Sequence, residues 1–178
     1  MRSETIARNY AEALFQLAGR EGAEVAWADL IDAVAAAVEA SPEVRDLLVS
    51  PRVPRATKLK VVGAALAGQP RTFTLFLQSV IKRGRQGLLR EIADEYLALV
   101  DVKLNRVRAG ITLARQPDAA TVEALRAALA AATGKEVLAT VRVEPGILGG
   151  AVIRLGDRVY DGSLRRRLTR LRRALLAG

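Results

Sequence analysis

The chain changes its hydrophobic period at residues 106–113, which read Arg-Val-Arg-Ala-Gly-Ile-Thr-Leu. Apolar side chains alternate there with polar or glycine positions, as in a strand that has one buried face. Before this stretch, apolar residues recur at spacings of three and four, which is the period of an amphipathic helix. We therefore expect a helical unit over residues 1–105 and a unit that mixes strands and helices over residues 106–178.

Helical periodicity fills the first of these units. Six stretches are predicted to be helical, and the joints between them contain proline, glycine or serine. They cover about residues 3–18, 23–40, 42–50, 54–68, 70–84 and 87–105. Short joints between amphipathic helices are typical of a bundle, so we expect a six-helix bundle.

Strand patterns dominate the second unit. Alternation at 107–113, 137–143, 151–155 and 158–160 predicts four strands, and residues 119–133 are predicted to form a helix. Ser163 is placed to cap a last, basic helix. Its leucine stripe is predicted to pack on the strands through its early members; the stripe comprises Leu164, Leu168, Leu171 and Leu175. The predicted class is α + α/β mixed: a six-helix bundle followed by a small α+β domain ending in a basic helix.

The composition disfavours catalysis. The chain has 178 residues, of which 51% are hydrophobic, and it contains neither cysteine nor histidine. This removes thiolate nucleophiles, the usual general base and the commonest metal ligand. Phosphate-cradling glycine motifs are also missing. We expect no catalytic, cofactor-binding or metal site. No apolar run approaches the roughly 20 residues of a spanning helix, so we expect no direct membrane insertion.

Charge is distributed unevenly along the chain. Residues 1–46 carry four basic and nine acidic side chains, whereas residues 47–90 carry nine basic and no acidic ones. Residues 158–178 carry seven basic and one acidic side chain, within a net charge of +9. Such asymmetry suggests that different parts of the chain meet different partners, although charge also serves solubility.

The basic run at 165–173, Arg-Arg-Arg-Leu-Thr-Arg-Leu-Arg-Arg, permits four hypotheses. It could bind nucleic acid, adsorb to a membrane surface, bind an acidic partner helix, or be a solvated helix that packs its leucines on its own sheet. The lack of interleaved aromatic residues disfavours the first, and the lack of Trp or Phe anchors disfavours the second. The last two are compatible with each other.

The first helical stretch has apolar residues on two neighbouring arcs, more than packing on one side requires. Either the helix is central in its bundle, which the pattern alone favours, or one arc is free for a partner helix. One arc comprises Ile6, Tyr10, Ala13, Leu14 and Leu17, and the other Ala7, Ala11, Phe15 and Ala18.

Two stretches resemble one protein family. Residues 6–15, Ile-Ala-Arg-Asn-Tyr-Ala-Glu-Ala-Leu-Phe, resemble its opening A-R-x-Y-A-x-A-L-F. Residues 149–163, Gly-Gly-Ala-Val-Ile-Arg-Leu-Gly-Asp-Arg-Val-Tyr-Asp-Gly-Ser, resemble its signature G-G-x-x-I-R-x-G-D-x-x-x-D-G-S. The family is the delta subunit of F-type ATP synthase, which includes the oligomycin sensitivity-conferring protein. The predicted order of helices and strands fits this family over the whole chain.

The resemblance implies a non-catalytic subunit of the peripheral stalk, or stator, that couples proton flow to ATP synthesis. It implies a groove between the first and fifth helices for the N-terminal helix of an alpha subunit. We assign that groove to Tyr10, Ala13, Leu14, Leu75, Ser79 and Arg83. It also implies that the C-terminal domain binds the C-terminal end of the b subunit. We assign that contact to Arg170, Leu171, Arg173, Ala174 and Leu175. With a partner implied, a free arc on the first helix becomes the favoured hypothesis.

The chain departs from the family in its last helix. The family sequence G-S-[IV]-R-G-R-L-E-R-L corresponds to Gly-Ser-Leu-Arg-Arg-Arg-Leu-Thr-Arg-Leu at 162–171, so Arg166 replaces a glycine and Thr169 a glutamate. The first motif begins close to Met1. We therefore expect that the chain has no transit peptide and that it belongs to a bacterial enzyme. We thus expect a peripheral protein of the ATP synthase complex at the cytoplasmic face of the inner membrane. The alternative is a basic nucleic-acid-binding module, which co-purification would distinguish.

Overall fold

The protein divides into two compact units, Met1–Val100 and Asp101–Gly178. Its structure is a computed structural model that describes residues 2–156 and 158–169. The division falls inside the sixth helix, slightly before the predicted boundary at residue 105. Helices form the first unit, and the second combines a small sheet with helices.

Each of the six stretches with helical periodicity contains a helix. Pro54 and Pro70 directly precede the fourth and fifth of them, and Ser41 caps the third by accepting a hydrogen bond at its Oγ from the Val44 N–H (3.3 Å). A short 3-10 turn at Gln86–Leu88 leads into the sixth helix. The helices are α1 Arg2–Glu21, α2 Glu24–Ala40, α3 Pro42–Val49, α4 Arg55–Ala65, α5 Arg71–Lys82 and α6 Leu89–Lys103.

The first helix is longer than predicted. It begins at Arg2, one residue before the predicted start. It also runs through Gly19 to Glu21, and the chain turns only at Gly22, which has a φ of +62°. A glycine inside a helix weakens it without ending it, whereas a left-handed φ does end it.

Aromatic contacts tie the helices of the first unit together. The ring of Trp27 on α2 meets that of Phe73 on α5 edge-on, with centroids 5.7 Å apart. Phe15 on α1 meets Tyr96 on α6 in the same way, at 5.9 Å. The Tyr96 hydroxyl donates a hydrogen bond to the Glu24 carbonyl (2.9 Å), which satisfies this polar group inside the core. Burial raises the pKa of Tyr96 above its ordinary value.

The second unit is built around a four-stranded sheet with the order β2-β1-β3-β4. Its strands are β1 Arg106–Leu113, β2 Glu136–Val143, β3 Ala151–Leu155 and β4 Arg158–Asp161. Strands β1 and β2 are parallel, and the other two pairs are antiparallel. A parallel pair needs a crossover, and helix α7, Ala119–Thr133, supplies it.

The predicted alternation on β1 corresponds to the two faces of this sheet. Ala109 and Ile111 are buried with Val137 of β2, and the α7 side chains Leu125 and Leu129 pack against them. Asp118 caps α7, because its carboxylate accepts a hydrogen bond from the Thr121 N–H (2.7 Å). Hydrogen bonding from Thr121, first from its side chain and then from its backbone N–H, lowers the pKa of Asp118.

The C-terminal helix begins directly after the sheet, and residues 164–169 of it are described. Ser163 caps it as predicted, accepting a hydrogen bond at Oγ from the Arg166 N–H (3.2 Å). The prediction that its early leucines pack on the strands is wrong, since Leu164 is 44% and Leu168 is 55% exposed. The first turn is instead held by a hydrogen bond from the Leu164 N–H to the Gly149 carbonyl (2.9 Å). Leu171 and Leu175 lie outside the described residues, as does Asp157 in the predicted β3–β4 turn.

None of the described helices is long and apolar enough to cross a membrane.

Candidate functional site

A groove of about 750 Å³ lies between α1 and α5 in the first unit. Residues of α1 form one wall, and residues of α5 and the turn after it form the other. The lining residues are Ile6, Asn9, Tyr10, Ala13, Leu17, Thr72, Leu75, Phe76, Ser79, Arg83 and Arg85.

The groove exists because α1 is covered along one arc only. Four of its residues are fully buried: Ala7, Ala11, Leu14 and Ala18. On the neighbouring arc, Ile6, Tyr10 and Leu17 are half-buried, and Ala13 is exposed. The hypothesis that α1 is buried all round is therefore wrong, and its second apolar arc faces the groove.

The floor of the groove is aromatic. Tyr10 on α1 and Phe76 on α5 meet edge-on with ring centroids 6.2 Å apart. Phe76 is nearly buried, whereas Leu75 beside it is 52% exposed. The small side chain of Ala13 leaves room for another chain to approach α1 closely.

Polar groups lie on the α5 side. The Ser79 hydroxyl donates a hydrogen bond to the Phe76 carbonyl (2.7 Å), so its donor is already used within the helix. Arg83 and Arg85 are exposed, and neither forms an ion pair with another described residue. The groove thus combines an apolar floor with two available guanidinium groups.

Five of the six residues assigned to this groove from the sequence line it: Tyr10, Ala13, Leu75, Ser79 and Arg83. Leu14 does not, and its assignment needs correction, since none of its side chain is exposed. Consecutive helix positions differ by about 100°, so Leu14 points into the core while Ala13 points into the groove.

The sequence assignment also missed six lining residues. Ile6 and Leu17 share the predicted arc of Tyr10, so the periodicity already indicated them. Phe76 is buried in the core and also forms the floor of the groove. Nothing in the sequence pattern indicated the other three, Asn9, Thr72 and Arg85.

The residues assigned to the second contact lie outside the described part of the chain: Arg170, Leu171, Arg173, Ala174 and Leu175. The chain packs closely against itself in the segment that leads to them. A Cβ on Gly149 would lie 2.7 Å from Leu164 Cδ1, and one on Gly150 would lie 2.4 Å from the Gly162 carbonyl oxygen. At Gly150 the neighbouring atoms belong to the backbone of Gly162 and Ser163, so the lack of a side chain lets the two backbone segments approach closely.

Asp161 fixes the start of the C-terminal helix. Its carboxylate accepts a hydrogen bond from the Ser163 N–H (3.0 Å). Hydrogen bonding from Ser163, with a smaller contribution from Arg166, lowers the pKa of Asp161 below its ordinary value. Among the described residues, no three Asp or Glu side chains come together as metal ligands would.

The chain as a whole is similar to known proteins of one kind. The family described as ATP synthase delta (OSCP) subunit matches residues 6–175. The ATP synthase subunit delta of Gemmatimonas aurantiaca is 40% identical over 98% of this chain and 95% of its own length. That of Geobacter metallireducens is 36% identical over the full length of both chains.

The fold is also found in a solved structure. A chain of the Toxoplasma gondii mitochondrial ATP synthase hexamer superposes with a TM-score of 0.74, covering 97% of this chain and 98% of that one. The two are 23% identical, so this likeness concerns the fold alone. The family match and the full-length relatives make the protein a member of the ATP synthase delta (OSCP) subunit family.

Proposed function

We propose that this protein is a non-catalytic subunit of the peripheral stalk, linking the catalytic head of an F-type ATP synthase to the b-subunit stalk. Such a link stops the head from turning with the rotor and so couples proton flow to ATP synthesis. The observation that carries the proposal is the open groove between α1 and α5, in a chain that belongs to the delta subunit family.

The groove suits a helix. Its α1 wall runs from Ile6 to Leu17, which corresponds to about 16 Å, or three turns of a partner helix. Helix-in-groove binding uses an apolar face at spacings of three and four residues, and the Tyr10–Phe76 floor offers a surface for such a face. Arg83 and Arg85 favour acidic groups on the partner. We assign the groove to the N-terminal helix of an alpha subunit.

A stalk link needs a second contact. We propose that the C-terminal domain binds the C-terminal end of the b subunit, with residues 170–175 taking part. One contact in each unit would let the chain hold the head and the stalk together. The protein would then lie at the cytoplasmic face of the bacterial inner membrane as a peripheral part of the complex.

A charge introduced at Ala13 tests the groove. Ala13→Asp places a carboxylate in what would be a dry contact between helices, and burying an unpaired charge costs several kcal/mol. We expect binding of a synthetic peptide with the N-terminal sequence of the same organism's alpha subunit to weaken at least about tenfold, or 1.4 kcal/mol. Isothermal titration calorimetry measures this, and circular dichroism checks that the helices remain.

Gln16→Asp is the matched control, because Gln16 is exposed on the same helix and does not line the groove. It adds the same charge and should leave peptide binding within about twofold of wild type. If folded Ala13→Asp protein bound the peptide as tightly as Gln16→Asp, the site would lie elsewhere.

The alternative of a nucleic-acid-binding module rests on the basic charge of the chain alone. The chain has seven aromatic residues, and Tyr160 is the one that is exposed. Single-strand binding by stacking needs several such rings. Co-purification separates the two functions: a stalk subunit brings down alpha, beta, gamma and b subunits, and a nucleic-acid-binding module brings down nucleic acid that salt releases.

A further inference from the structure

Leu148 has an unusual backbone conformation for its residue type. Its φ is +64° and its ψ is −22°, in the left-handed region, yet its side chain is 64% exposed. This conformation destabilises any residue that has a Cβ, and a bulky apolar residue in it is a clear outlier. Burial does not compensate for this, because most of the side chain is in water.

The turn itself does not require leucine at this position. The turn Pro145–Ile147 closes with a hydrogen bond from the Leu148 N–H to the Pro145 carbonyl (3.0 Å), which any non-proline residue makes. Ile147 provides the apolar anchor, since it is 6% exposed. Glycine would adopt the same conformation without strain. The local fold therefore gives no reason for an exposed leucine at 148.

Two further exposed leucines continue the surface. The Leu164 side chain lies against the backbone of Gly149, where a Cβ would come within 2.7 Å of Leu164 Cδ1. Gly149 directly follows Leu148, so Leu164 lies close to Leu148 in the fold, and Leu168 follows Leu164 one helical turn later. These three residues, 64%, 44% and 55% exposed, form what we call the Leu148 strip.

The surroundings of the strip are basic. Arg165 and Arg167 are exposed on the same helix and make no ion pair with another described residue. Arg166 lies 4.0 Å from Asp161, so its charge is only partly compensated. An apolar strip bordered by guanidinium groups is complementary to a helix whose apolar stripe is bordered by carboxylates.

We propose that the Leu148 strip binds an amphipathic helix with acidic edges, contributed by the stalk. The inference rests on the proposed function, in which the end of the b subunit is the partner of this unit. It adds that the contact begins at the 145–150 turn and the first turns of the C-terminal helix, with Leu148 as an apolar anchor.

Leu148→Gly tests the strip without endangering the fold. The substitution relieves the strain and removes the exposed side chain, so thermal stability should stay the same or rise. Binding of the soluble part of the same organism's b subunit should weaken at least about tenfold, as loss of an interface anchor does. Val102→Ala is the control, because Val102 is 73% exposed and lies away from the 145–150 turn. Val102 precedes the first residue of β1, whereas the last residue of β1, Leu113, pairs with Ala151 at the start of β3.

The measurement is a titration at low and high salt, with the alpha-subunit peptide titrated in parallel. The inference is supported if Leu148→Gly alone weakens b-subunit binding and if salt weakens the wild-type complex. It is overturned, with the proposed function intact, if Leu148→Gly binds the b subunit like wild type. It is also overturned if Leu148 instead controls binding to anionic vesicles or self-association in sedimentation. Failure of the wild type to bind the b subunit would overturn the stalk half of the proposed function as well.

Discussion

Gly150 is constrained in two ways. Its φ of +78° disfavours any side chain, and a Cβ would lie 2.4 Å from the carbonyl oxygen of Gly162, which belongs to the backbone and cannot rotate away. Gly156 has a similar φ of +55° but nothing within 4 Å of a Cβ. Comparing alanine substitutions at these two glycines therefore distinguishes the cost of backbone strain from the cost of a steric clash.

Gly150→Ala should destabilise the protein clearly more than Gly156→Ala. Strain alone costs about 1–2 kcal/mol, and a clash with backbone adds about 1–3 kcal/mol. Urea unfolding of the two variants measures the difference. Equal losses in the free energy of unfolding would mean that the backbone at the Gly150–Gly162 contact shifts without an energetic cost.

Neighbouring residues show where sequence pattern stops being informative. Ala13 and Leu14 belong to the same predicted apolar arc, and we assign both from the sequence to the groove that the family resemblance implies. The structure puts Leu14 in the core and Ala13 on the surface. Periodicity gives the direction of each side chain around the helix axis, but it does not give the edge of the neighbouring helix that covers it.

The same distinction holds for whole helices and strands. The positions of the helices and strands followed from period and from proline and glycine joints, because these depend on local geometry. The coverage of α1 and of the C-terminal helix did not follow, because it depends on tertiary neighbours. Leu164 and Leu168 have the spacing of a core stripe and are nevertheless about half exposed. An apolar stripe predicts that something covers it and leaves open whether this is the same chain or a partner.

In the molecule as a whole, the first unit should fold without the second. Its described core is made by residues before 101, including Trp27, Phe73 and Tyr96, whose contacts stay within that unit. A chain of residues 1–105 also retains all of α6. We expect it to show helical circular dichroism, one cooperative thermal transition and wild-type binding of the alpha-subunit peptide.

A gradual loss of helical signal on heating would contradict this expectation. It would mean that the first helices need the sheet unit for stability, despite their complete periodicity. The full-length chain, measured in the same buffer, is the reference.

Removing residues 171–178 tests the stalk link in the assembled enzyme. These residues carry Leu171, Ala174 and Leu175, the apolar part of the contact that we propose with the b subunit. Buried apolar anchors control dissociation, whereas charges at the rim mainly change association rate and salt dependence. The truncated protein should therefore lose its hold on the stalk while keeping its groove for the alpha subunit.

Membranes carrying this truncation should lose ATP-driven proton pumping, because a head that is not held turns with the rotor. ATP hydrolysis by the detached head should remain at the wild-type rate, since no residue of this chain is proposed to contact nucleotide. Removal of residues 177–178 alone is the matched control and should leave pumping unchanged. Normal pumping after removal of 171–178 would exclude this segment from the stalk contact. Loss of hydrolysis in the isolated head would instead assign the chain a part in catalysis, contrary to the proposed function.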